Sequence, residues 1–238
     1  MRLRFHCQTA AATLTRAQPM NNVVRTALQA LSAVLGGAQS LHTNGLDEAY
    51  AIPSEEAMKL ALRTQQIIAE ESRVAAVIDP LGGSYYVEAL TNEFERRVVD
   101  ILAKVDGMGG TIKAIEEGYF QHEIADSAYD TARRRASGDQ PLIGVNRFVE
   151  PPAPVPVPIH KVDAAVEARQ VARLQETRRR RDTAKVHTLL DRLEAEARDP
   201  GANLMPVTIE VVTARATLGE IVARLRGVFG AYVEKPVF

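Results

Sequence analysis

The chain has 238 residues, 29 Lys and Arg against 30 Asp and Glu, a net charge of −1 and one cysteine. That length holds one or two domains with a real core. The charge balance excludes an overall attraction to nucleic acid or an anionic membrane, and Cys7 alone excludes an internal disulfide, which fits a reducing cytoplasmic setting. The basic start, MRLRFHCQ, is not followed by an apolar segment, and no apolar run reaches the ~18 residues of a membrane span, so neither a signal peptide nor a transmembrane helix is expected.

LRFHC (3–7) alternates in polarity and predicts a short strand, with Arg4, His6 and Gln8 on one face. Asn21 or Asn22 then caps a helix on which Val24, Leu28, Leu31 and Leu35 recur at helical spacing, and Gly36-Gly37 ends it. QSLHT (39–43) predicts a second strand. Pro53 and Ser54 open a second helix, with Glu55 and Glu56 in the turn where the helix dipole favours acids. Residues 1–72 therefore read strand, helix, strand, helix, a βα repeat with a parallel pair.

Beyond residue 72 the strand signals fade. DPLGGSYY (79–86) is a turn region, and Leu90, Phe94, Val98, Ile101, Leu102 and Val105 mark one apolar face of a helix. Shorter helices follow from Thr111 and up to Gly138, which makes 73–149 a helical region. EPPAPVPVPIH (150–160) holds five prolines at positions 151–159 and reads as a semi-rigid linker. The last segment, 161–238, is mainly helical and charged, and Thr217 with Glu220 forms a capping box for a final helix. VTIEVVT (207–213) has the β-branched content of a strand.

Two polar clusters can carry chemistry. Arg4, His6 and Gln8 line a strand face that is unusual for a buried parallel strand; they suit either a barrel mouth, where strand ends meet ligand, or a solvated edge. Gln39, His42, Asn44, Asp47 and Glu48 gather at the end of the second strand, and Asn44-Gly45 is also an ordinary turn signal. His6, Cys7 and His42 lack zinc-motif spacing, so no metal site is expected. The basic run Arg178–Arg181 has acids nearby and no interleaved aromatics, so it reads as a solvated helix face. The glycine pairs lack phosphate-loop spacing.

Five strings in order carry a resemblance: HCQT (6–9), LGGAQSLHTN with LDEA (35–49), RTQQIIAEES (63–72), DPLGGSYYVE (79–88) and IGVNRF (143–148). Together they resemble the large subunit of adenosylcobalamin-dependent acyl-CoA mutases, the methylmalonyl-CoA mutase family, over essentially the whole chain. The resemblance implies an α/β, helix-rich fold: the last two βα units of a TIM barrel (1–72), then the barrel-flanking helices, the linker and the C-terminal helical region, with a helix over 207–213 in preference to the strand that its β-branched content suggests. It implies a radical carbon-skeleton rearrangement, with methylmalonyl-CoA to succinyl-CoA as the leading substrate pair, and adenosylcobalamin (B12) as cofactor. The same strings occur in isobutyryl- and hydroxyisobutyryl-type mutases, so the acyl-CoA stays open.

By the same resemblance Arg4, His6, Gln8, Gln39 and Asn44 meet substrate, and Ala11, Glu48 and Ala51 meet the cofactor. Ala11 departs from the family, which usually has Gly there. The implied partners are a small cobalamin-binding subunit and the N-terminal barrel portion. A TIM barrel needs eight βα units and this chain offers two, so the isolated chain is expected to be inactive. The C-terminus resembles that of separate large subunits, while Met1 falls where the family has an apolar barrel residue, as an internal methionine read as a start would. The alternative is a non-catalytic helical module that docks on a mutase partner subunit.

Overall fold

The computed structural model describes residues 4–151 and 159–233. Leu3 of the expected first strand and residues 152–158 of the Pro-rich segment lie outside the described residues. The chain divides into two compact units between His160 and Lys161.

In the first unit, β1 (His6–Gln8) and β2 (Ser40–His42) pair in parallel, with His6 opposite Ser40, Cys7 opposite Leu41 and Gln8 opposite His42. Both strands are shorter than the alternating segments that predict them. Arg4 precedes β1, and the Phe5 N–H donates to Gln39 Oε1 at 2.9 Å instead of extending the ladder. The parallel connection runs through α1 (Asn21–Leu35), which packs on β2 and on α2 (Glu55–Glu70). Ser54 caps α2, its side chain accepting from the Ala57 N–H at 3.2 Å, with Glu55 and Glu56 in the first turn as expected.

The start of α1 departs from the sequence reading. Neither Asn21 nor Asn22 is the cap: Met20 holds that position, and the N–H groups of both asparagines donate to Gln18 and Pro19 carbonyls of the preceding turn. The buried face of α1 is Asn22, Thr26 and Ala30, whereas Val24 and Leu28 of the apolar stripe are 58% and 65% exposed. Asn22 faces inward because the loops beyond the strands present backbone groups that need partners, the N–H and carbonyl of Thr15 and the carbonyl of Leu46.

The helices α3 (Tyr85–Gly107), α4 (Thr111–Glu116) and α5 (Tyr119–Ser137) follow, and a tight turn at 142–148 closes with a bridge between Ile143 and Arg147. On α3 the predicted apolar positions are regular, but Leu90, Phe94, Val98, Ile101 and Leu102 are exposed. Val105 is buried near the end of the helix, where α4 packs and buries Ala114.

The second unit holds α6 (Ala164–Arg180), α7 (Thr183–Ala197), α8 (Met205–Thr213) and α9 (Leu218–Phe229). Its core is Val186, Leu190 and Leu193 of α7, Val207 and Val211 of α8, and Ile221 of α9. Each such buried aliphatic side chain contributes ~1.5–3 kcal/mol. VTIEVVT is helical despite its β-branched residues: Pro206 starts the helix, and Val207 and Val211, four apart, enter the core together. The Thr217–Glu220 capping box forms on α9. The basic run is not one solvated face: Arg179 and Arg180 pair with Glu176, while Arg181 turns inward to Glu220.

Candidate functional site

The two loops that leave the C-terminal ends of the strands are tied together at their first residues. The Thr9 N–H continues the ladder to the His42 carbonyl at 3.1 Å. Buried Thr9 Oγ1 donates to Asn44 Oδ1 and accepts from the Asn44 N–H at 2.9 Å. Thr43, also buried, donates to the Ala61 carbonyl at 2.8 Å, which seats the second loop on α2. With strands only three residues long, Thr9 continues a register the ladder has little length to hold.

Glu48 sits on this platform. Asn44 Nδ2 donates to its Oε2, and the Gly45 N–H donates to its Oε1 at 2.7 Å. The carboxylate is half-buried and fixed through both oxygens. Asp47 is 2% exposed; its Oδ2 accepts from the Ser54 N–H at 2.8 Å, while Oδ1 is buried without a partner. Asp47 thus links the loop to the cap of α2. Its carbonyl also accepts from the N–H of half-buried Ala51 at 3.2 Å. Gly45 lies so close that a Cβ there would be 2.9 Å from Asp47 Oδ1 and 3.1 Å from Pro53 Cβ.

Across the pair, exposed Ala11 opens a 3-10 turn, Ala11–Thr13, directly after β1. Its φ is not positive, so the backbone accommodates a side chain where the family usually has Gly. Ala10 and Ala12 are exposed beside it. The Ala10 N–H donates to Gln29 Oε1 at 2.7 Å, and Gln29 Nε2 donates to Thr13 Oγ1 at 2.8 Å, so α1 holds this turn.

The structure gathers Gln8, Ala11, Asn44, Glu48 and Ala51 at the C-terminal ends of the strands. His6 and Gln8 are exposed and alternate with half-buried Cys7; His6 Nδ1 is hydrogen-bonded to Ser40 Oγ at 2.8 Å. Arg4 and Gln39 lie at the other ends. Gln39 Nε2 donates to the Gly37 carbonyl at 2.6 Å, and the whole of β2, Ser40–His42, separates Gln39 from Asn44.

Three residues of this region carry no obvious sequence signal. Asn22, read as a cap, is a buried bridge between loops. Thr15 and Arg25 complete it: Arg25 Nη1 donates to Thr15 Oγ1 at 2.9 Å and to Asn22 Oδ1 at 2.8 Å, and Nη2 to the Ile143 carbonyl at 2.9 Å. Burial pushes the Arg25 pKa below its ordinary value. An arginine among the apolar repeats of α1 was the available hint. Among the described residues no group of three or more His, Cys, Asp or Glu could hold a metal ion, and no helix is long and apolar enough to cross a membrane.

A parallel βα pair with polar, cross-tied loops at its C-terminal ends is the arrangement expected of an α/β enzyme site. The family model for methylmalonyl-CoA mutase matches residues 1–231, and the chain belongs to that family. It is 65% identical over 238 residues to the 2-hydroxyisobutanoyl-CoA mutase large subunit of Aquincola tertiaricarbonis, covering 100% of this chain and 42% of the relative. It is 43% identical to a methylmalonyl-CoA mutase of Rhizobium meliloti, over 98% of this chain and 33% of the relative. The methylmalonyl-CoA mutase large subunit of Propionibacterium freudenreichii subsp. shermanii is 42% identical, with 98% and 33% covered. The chain therefore spans well under half the length of these relatives.

Proposed function

We propose that this chain supplies the C-terminal part of the large subunit of a B12-dependent acyl-CoA mutase, with residues 1–72 as the last two βα units of its TIM barrel. In this reading 73–149 flank the barrel, 150–160 link, and 161–238 form the C-terminal helical region. The observation that carries it is Glu48, held by Asn44 and Gly45 at the C-terminal ends of a parallel strand pair, the end at which barrel enzymes bind their ligands.

The donor set fits adenosylcobalamin. Small exposed side chains at Ala10, Ala11 and Ala12 leave room for a large flat ring, and a fixed carboxylate with free lone pairs accepts from hydroxyl groups. Glu48, Ala11 and Ala51 would hold the cofactor. When bound, it supplies the radical chemistry of the rearrangement. Gln8 and His6 present exposed hydrogen-bonding groups toward the acyl-CoA from one strand face, with Arg4, Gln39 and Asn44 as the further substrate contacts. The Thr9–Asn44 tie keeps the two loops in register so that these groups are oriented before ligand arrives.

The substrate we favour is 2-hydroxyisobutanoyl-CoA, ahead of methylmalonyl-CoA, because identity is 65% to the former mutase and 43% to the latter. The partners in this reading are a small cobalamin-binding subunit and the remaining barrel portion. The test is an adenosylcobalamin-dependent isomerase assay of the chain assembled with both partners, offering each acyl-CoA in turn. Turnover only in the assembly, and fastest on 2-hydroxyisobutanoyl-CoA, is expected. No turnover of either acyl-CoA by the assembly sinks the reading.

Two observations favour a second reading, a helical assembly module. The second unit has a core of its own, and the apolar face of α3 is uncovered. Cofactor-independent binding to a mutase partner subunit, with no effect of cobalamin, would select that reading.

A further inference from the structure

Asn22 is 0% exposed, and its side chain is fully used. Nδ2 donates to the Thr15 carbonyl and to the Leu46 carbonyl, each at 2.9 Å. Oδ1 accepts from the Thr15 N–H at 3.0 Å and from Arg25 Nη1 at 2.8 Å. An amide offers two donors and two acceptor sites, so all four are engaged. No other side chain of this size has that inventory, and a buried network of this kind is sensitive to the loss of any member.

Its partners lie in the two loops of the candidate site. Thr15 ends the segment that begins at Thr9 and carries Ala11. Leu46 lies between Asn44 and Glu48. Arg25 adds a further restraint: it bonds Thr15 Oγ1 and reaches the Ile143 carbonyl, 118 positions along the chain. Gln18, at the entrance to α1, donates to the Phe148 carbonyl at 2.8 Å. The IGVNRF string thus braces the first loop from outside, and Asn22 carries the restraint across to the second.

We propose that Asn22, locked by Arg25, is a positioning residue that fixes the span between the Ala11 loop and the Glu48 loop. It touches neither substrate nor cofactor in this proposal. The β1–β2 ladder and its continuation through Thr9 and Asn44 tie the loops at their first residues; Asn22 ties them again further along, at Thr15 and Leu46. The proposal rests on reading the two loops as the cobalamin-binding surface, and it deepens that reading by naming what holds them apart at a fixed distance.

The test uses amide exchange, followed by mass spectrometry, and an adenosylcobalamin titration by corrin absorbance, both on the full 238-residue chain, the titration with the small cobalamin-binding subunit present. Asn22→Leu removes every bond. Asn22→Asp keeps an acceptor for the Thr15 N–H and loses both donations. Losing a buried hydrogen bond of this kind is worth about a tenfold change in local opening. In Asn22→Asp the exchange of residues 44–51 should rise about tenfold, while 10–16 changes less and α2 and the second unit stay as in the parent. In Asn22→Leu both loops should be released. Cobalamin affinity should fall in the order parent, Asn22→Asp, Asn22→Leu. Unchanged exchange at 44–51 in both variants overturns the proposal, and so does release of α2 together with the loops, which marks a merely structural role. If the parent gives no corrin change, the cobalamin reading fails, and with it the proposed purpose of the span. The exchange pattern then still decides whether Asn22 sets the span at all.

Discussion

Asn44 and Glu48 share one hydrogen bond that joins a candidate substrate contact to a candidate cofactor contact. Asn44 Nδ2 donates to one carboxylate oxygen of Glu48, and the neighbouring Gly45 N–H holds the other at 2.7 Å. Groups tied in this way do not act independently. Asn44→Ala should destabilise the first unit by ~1–3 kcal/mol, because Thr9 Oγ1 also loses its acceptor inside the protein. Thermal melting and cobalamin affinity, measured in a double-mutant cycle with Glu48→Gln, should show effects well short of additive. Strict additivity of the two substitutions would show that the bond does not couple them.

Gly45 is required by space, not by backbone conformation. A Cβ would meet Asp47 Oδ1 at 2.9 Å and Pro53 Cβ at 3.1 Å, and neither neighbour moves freely, since Asp47 is bonded to the Ser54 N–H and Pro53 is a ring. Gly45→Ala should cost ~1–3 kcal/mol in thermal melting. Gly227 is the contrasting case: it lies within α9 with open space where a methyl would go, and Gly227→Ala should stabilise by ~0.5–1 kcal/mol. The two substitutions moving in the same direction would contradict this reading of the packing.

In the second unit Arg181 holds Glu220 through two bonds, 2.6 and 2.7 Å, with the arginine side chain 5% exposed. Arg181, helped by Thr217, lowers the Glu220 pKa from 4.5 to about 2. A carboxylate depressed on folding adds stability that is present in full above its unfolded value and is lost as pH falls through the folded one. The loss should therefore run from about pH 4.5 down to about 2. Glu220→Gln should lower the melting temperature at neutral pH and remove this part of the acid dependence, leaving Arg181 buried without its anion. Equal melting of parent and variant at pH 7 would show that the pair contributes nothing.

Local rules in the sequence reached most of the helices. Ser54 before Glu55-Glu56, the Thr217–Glu220 box and Gly138 after α5 mark their ends by chemistry that acts within a few residues. Periodicity also found the stripes on α1 and α3, but it does not say what covers them. Val24, Leu28 and Phe94 are exposed, while Asn22 and Thr26 face inward. Each strand and the Asn44–Glu48 turn were legible because their residues are close in sequence, and the parallel pairing, 34 positions apart, followed from the helix between the strands. The brace was not: Arg25 to Ile143 and Gln18 to Phe148 span 118 and 130 positions, and no pattern along the chain announces such pairs. Asn22 was visible only as a helix-cap residue, because its type serves both roles equally well.

The most direct test of the proposed function is an adenosylcobalamin titration of the chain with the small cobalamin-binding subunit, parent against Glu48→Gln, followed by corrin absorbance. Loss of one charged hydrogen-bond acceptor corresponds to ~1.5–3 kcal/mol, so binding should be saturable in the parent and weaker by at least ~10-fold in the variant. Saturable binding of equal strength in both proteins, or no spectral change in either, would contradict the assignment of these loops to the cofactor.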